Sequence, residues 1–134
     1  MKAIKITTDN VISVVEVPEP TWKGMGELVG GYFEHVRPWG FMNLDVPEKE
    51  KLCMIVNGDG YALELDFNQT ASMLYNAYSS RKETWWSVLG DVLIMAEGFV
   101  NGEPDIVGLD DEQIQALCKE LKNKFKFLKE VINE

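Results

Sequence analysis

Ile114, Leu117, Leu121, Phe125, Leu128 and Ile132 recur at steps of three and four near the carboxyl end of the chain. At about 100° per residue these side chains fall within an arc of roughly 80°. Such a stripe predicts a long amphipathic helix with one dry face, and a dry face has to lie on something. Asp110-Asp111-Glu112-Gln113 stands just ahead of it. Asp110 fits the N-cap position, and Gln113 three residues on fits a capping box. On the same helix Phe127 falls about 120° from the middle of the stripe, with Val131 beside it, so both lie off the core stripe.

The remainder of the chain predicts a sheet for that helix to cover. Ala3 to Thr7 alternates charge and bulk, Asp9-Asn10 is a turn pair, and Val11 to Val17 is rich in β-branched residues, so residues 2–17 read as a hairpin. Pro18-Glu19-Pro20 ends it, because proline cannot continue a ladder. Thr21 fits the cap of a short helix running to Val29, softened by Gly24 and Gly26 and stopped by Gly30-Gly31, one of them left-handed. Tyr32 to Val36 reads as a strand closed by Pro38-Trp39-Gly40, and residues 41–51 as a surface loop. Leu52–Val56 and Tyr61–Phe67 read as a second hairpin around Asn57-Gly58-Asp59-Gly60. Asn68 fits the N-cap of a helix over Gln69–Tyr78, and Arg81–Val88 reads as a helical turn or a loop. Asp91–Ala96 is apolar enough to be a central strand; Asn101-Gly102 is a turn, and Asp105 to Val107 a short strand or extension. Two hairpins, a central strand and interspersed helices define one α+β domain over residues 1–134. Its sheet is mostly antiparallel, with the helices packed on one face.

Composition sets limits on function. Thirteen basic residues against 22 acidic ones give a net charge of −9, which argues against binding nucleic acid by neutralising phosphates. No run approaches the roughly 18 apolar residues of a membrane span. The amino terminus lacks the apolar block of a secretion signal, so the expected location is cytoplasmic. Cys53 and Cys118 show no metal-ligand spacing and read as buried thiols. Charge is also uneven. Between Glu83 and Cys118 lie eight acids and no Lys or Arg, whereas Lys119 to Lys129 holds five lysines and one acid. Acids ahead of a helix and bases toward its end complement the macrodipole; the alternative is an acidic surface for a basic partner.

Several segments, taken in order, resemble a known family. They are Met1 to Ile6, Leu28 to Arg37, Val56 to Gly60, Asn68 to Ala71, Gly90 to Ile94 and Gly108 to Gln113. In that order and spacing the chain is similar to Domain of Unknown Function 3846, a family of bacterial genomes, phages and mobile elements. The resemblance runs to about residue 115. It implies a small accessory protein and brings no site residues with it.

No catalytic, cofactor or metal site emerges from the residues themselves. Gly24 to Gly30 has the spacing GxGxxxG and an acid where a phosphate would sit, so it reads as a helix and not a phosphate loop. Asn57 to Gly60 lacks the glutamate a calcium loop needs at its twelfth position, where Asn68 stands. His35 shares a strand face with Phe33 and Arg37, while adjacent Glu34 points the other way, so it reads as a partly exposed strand histidine. No nucleophile has a recognisable base.

The aromatics carry more information. Trp39, Trp85 and Trp86 lie outside the periodic runs, and adjacent tryptophans cannot share one helix face. Large exposed aromatics are enriched at interfaces. The residues singled out as an interface or pocket are Tyr32, His35, Arg37, Trp39, Trp85, Trp86, Phe127 and Val131. The expected function is noncatalytic: an adaptor binding another protein or itself, with Phe127 and Val131 as the self-association face. The alternatives are an acidic decoy for a basic surface, and a small-molecule binder with a pocket between sheet and helices lined by Tyr32 and Trp85.

Overall fold

The computed structural model describes residues 1–47, 49–76 and 85–130. Its strands are β1 (Lys2–Ile6), β2 (Val11–Glu16), β3 (Phe33–Val36), β4 (Lys51–Asn57), β5 (Val92–Val100), β6 (Glu103–Val107) and β7 (Lys129–Glu130). The helices are α1 (Thr21–Val29), α2 (Gln69–Tyr75) and α3 (Asp111–Lys124), with a 3-10 helix over Trp39–Asn43. The strands form one sheet in the order β3-β4-β5-β1-β2-β7, with β6 also on β5. All pairs are antiparallel except β2 with β7. This is the α+β architecture expected from the sequence, with β5 at its centre.

Successive strand residues face opposite sides of a sheet, and here both sides are dry. Ile4, Ile6, Met54, Val56, Val92 and Ile94 point to one side, where they pack with Ala71 and Leu74 of α2 and with Ile114, Leu117 and Leu121 of α3. Ala3, Cys53, Ile55, Leu93 and Met95 point to the other, where Met25 and Val29 of α1 cover them. The helices therefore do not share one face: α1 lies opposite α2 and α3. The reason is in β4 and β5, whose unbroken apolar runs bury both faces of each strand and need cover on each.

The β1–β2 hairpin stands where the sequence puts it, with Ile6 opposite Ile12. The second hairpin does not. Residues 61–64 form turns, and among the described residues the segment pairs only through the Phe67–Leu89 bridge. β4 instead pairs with β3 on one side and β5 on the other, which leaves it no edge for Tyr61–Phe67. The other two-stranded turn is β5–β6, closed by Asn101-Gly102 with both residues at positive φ.

Helix ends follow local chemistry. Asn68 caps α2 by accepting from the Ala71 amide, and Asp110 with Gln113 forms the expected capping box on α3. Thr21 does not cap α1; Pro20 holds that position without a side-chain bond, and Thr21 is the first helical residue. Gly30 ends α1 in the left-handed conformation at φ 89°, where a side chain is disfavoured.

The long terminal helix is shorter than its stripe. α3 stops at Lys124, Phe125 leaves helical dihedrals, and the chain turns to place β7 beside β2, with the Lys129 amide donating to the Asn10 carbonyl at 2.9 Å. Phe125 and Leu128 stay buried all the same. Apolar residues three apart serve a turn as well as a helix, and the open edge of β2 offers backbone partners that a helix end lacks. Val131 lies outside the described residues.

Candidate functional site

The outer strand β3 gathers most of the polar candidates. Its register sets His35 opposite Ile55, and Ile55 opposite Leu93, all on the α1 side of the sheet. Two residues beyond Met95 on that side rises Glu97. His35 Nε2 lies 3.0 Å from Glu97 Oε1, and Arg37 donates to the same oxygen from Nε at 2.8 Å and approaches it with Nη2 at 2.6 Å. Lys51 stands opposite Glu97 in the β4–β5 register.

The hydrogen bond from Arg37, ahead of the opposing effect of burial, holds the Glu97 carboxyl below the usual carboxylate range; the same bond raises the guanidinium of Arg37. A carboxylate locked in its charged form by a guanidinium is a poor proton shuttle. Beneath the cluster, burial pushes the Cys53 thiol up to about 12, so it is no nucleophile at neutral pH. The arrangement joins three strands by charge. Glu97 was missed in sequence because its partners lie 60 residues away, across an intervening strand.

Beyond β3 the chain exposes two large apolar side chains on one short turn. In a 3-10 helix, side chains three apart eclipse one another. Trp39 and Met42 are so spaced, and they are 67% and 78% exposed. Their turn is held from below. Phe41 packs on the core, and Gly40 sits so close to α2 that a Cβ there would lie 2.5 Å from the Leu74 carbonyl oxygen. Trp39 and Met42 therefore project from a seated base. Tyr32, 66% exposed, stands at the opposite end of β3. Met42 carried no sequence signal beyond its spacing from Trp39.

The other predicted residues scatter. Trp85 and Trp86 are both half-buried, and the Trp86 ring meets Tyr75 edge-on at 4.6 Å. Phe127 occupies the turn after α3, not a helix face; it is 37% exposed and its ring leans on Phe125. A cavity of about 360 Å³ does open between the last turn of α1 and the sheet, but neither Tyr32 nor Trp85 lines it. Lys5, Glu27, Val29, Leu65, Asp66 and Asp91 do. Nor does the acidic block form one bare surface. Asp91 meets Lys5, Glu97 meets Arg37, Asp111 meets Lys2, and Asp110 and Glu112 share Lys49. Among the described residues no group of three His, Cys, Asp or Glu is placed to hold a metal ion. No described helix is long and apolar enough to cross a membrane.

The geometry is that of a small α+β protein with an ion-paired outer strand and an exposed aromatic turn. The chain belongs to the family described as Domain of unknown function (DUF3846), whose model matches residues 1–125. No match was found among curated proteins or among solved structures.

Proposed function

We propose that this protein is a noncatalytic accessory protein of the cytoplasm, of the kind carried by phages and mobile elements, and that it works by binding another protein. The exposed pair Trp39–Met42 carries this reading. An indole and a thioether held out on a packed turn are costly to leave wet, and aromatic and methionine side chains are enriched where proteins meet. The ion pairing of His35, Arg37 and Glu97 fits a surface that recognises more than one that reacts, and the pairing within the acidic block weighs against the decoy reading. Affinity capture of the tagged chain from its native host tests the proposal. Trp39→Ser with Met42→Ser should leave the melting temperature unchanged and remove the captured partner; the same partner recovered at the same yield with the double variant refutes it.

The cavity beside α1 favours a second reading as a small-molecule binder, since its volume falls in the range of ligand sites. A metabolite screen by thermal shift tests that reading, and a flat screen counts against it.

A further inference from the structure

β3 is the outermost strand on its side of the sheet; among the described residues it pairs with β4 alone. The Gly58 amide donates to the Tyr32 carbonyl at 2.8 Å, and these two residues stand opposite each other when the β3–β4 register is carried one step back from Phe33 and Asn57. Bonded and non-bonded pairs alternate along an antiparallel ladder. Glu34 and Val36 therefore turn their N–H and C=O groups toward β4, and Phe33 and His35 turn theirs outward. No described residue hydrogen-bonds to those four outward groups.

We propose that this edge receives an extended segment of the partner protein as an added antiparallel strand. The inference rests on reading Trp39–Met42 as a partner surface and supplies its docking mode. An open edge offers backbone bonds to any extended chain, and side chains supply the choice. Here they supply it on both faces. On the α1 side, His35, Arg37 and Lys51 stand around the single acid Glu97, so an acidic side chain opposite His35 is favoured. On the other side Glu34 meets no base among the described residues, so a basic side chain opposite it is favoured. Tyr32 at one end and Trp39–Met42 at the other suit apolar residues. A second copy of the chain fits poorly. Antiparallel self-pairing that uses the outward groups sets Glu34 against Glu34, or His35 against His35 with Phe33 opposite Arg37, or Phe33 against Phe33 with Tyr32 opposite Glu34, and none of these registers matches opposite charges.

The probe is the peptide acetyl-Val-Thr-Glu-Lys-Val-Tyr-amide, with acetyl-Val-Thr-Lys-Lys-Val-Tyr-amide as its mismatch. Binding is followed by amide hydrogen exchange and chemical shift in the full chain. The first peptide should bind saturably, slow exchange of the Phe33 and His35 amides at least tenfold, and bind at least fivefold more tightly than the second. His35→Pro removes an outward N–H and no ladder bond, so the variant should fold and lose the peptide, while His35→Ala should keep it. If His35→Pro does not fold, protection of the two amides in the unaltered chain decides. No saturable binding, unchanged exchange at those amides, equal affinity for both peptides, or a concentration-dependent dimer in sedimentation that protects the same edge overturns the proposal. Loss of the native partner on altering Trp39 and Met42, together with an unprotected edge, refutes the added strand alone and leaves the partner surface standing.

Discussion

Replacing Asn68 by alanine should cost more than any other single polar change in this protein. Its side chain is fully buried and ties three elements together. The Oδ1 atom accepts from the Ala71 amide at 3.0 Å and caps α2, while Nδ2 donates to the Ile6 carbonyl of β1 at 3.1 Å and to the Gly90 carbonyl before β5 at 3.0 Å. Loss of the cap costs about 1 kcal/mol. Each lost bond to a carbonyl costs about 1 kcal/mol, and more where the acceptor stays dry. The sum is about 3 kcal/mol, a large share of the roughly 5–15 kcal/mol that holds a domain together. Asn68→Ser keeps the cap and loses the two donors, so it should cost about 2 kcal/mol. Urea unfolding at neutral pH reads both; at a slope of about 1.5 kcal/mol per molar the alanine variant should unfold about 2 M earlier. A loss below about 1 kcal/mol for alanine, or equal losses for serine and alanine, refutes the reasoning.

Three further outcomes follow from the packing and the charges. Phe125→Ala, which empties a core position beyond the end of α3, should lower stability by about 3–5 kcal/mol in the same assay, whereas an exposed helical extension would lose little. Glu97→Gln tests the cluster on β3. The folded carboxyl titrates below its ordinary value of 4.5, so its contribution is present above that value and lost as pH falls through the lower folded one. The stability gap between the unaltered chain and Glu97→Gln should hold steady from neutral pH down to about 4.5 and then close; a gap that widens in acid contradicts the pairing with Arg37. Burial raises both thiols, Cys53 and Cys118, so a thiol reagent should label neither in the folded protein and both in denaturant; prompt labelling of Cys53 would show that the α1 side is open.

Much of the fold can be read directly from the sequence, because local chemistry decides it. Alternation in Ala3–Thr7 and Val11–Val17, the cap at Asn68 and the capping box at Asp110 each act within a few residues. What could not be read depends on competition between distant segments. Tyr61–Phe67 alternates as well as any strand, yet β5 takes its place beside β4 because it buries more apolar surface. The stripe from Ile114 to Leu128 records burial correctly and conceals the point where helix gives way to strand. At the candidate site, Tyr32 and Trp39 stand at the two ends of β3 as exposed side chains. Glu97 joins His35 and Arg37 only because the sheet brings β3 and β5 to either side of β4.

Site-specific photo-crosslinking tests the partner surface most directly. A benzophenone amino acid placed at Met42 in the full chain, expressed in the native host, should give one adduct of defined mass. The same group at exposed Asp9, on the hairpin between β1 and β2, should give none. Equal labelling from both positions, or no adduct from Met42, contradicts the account.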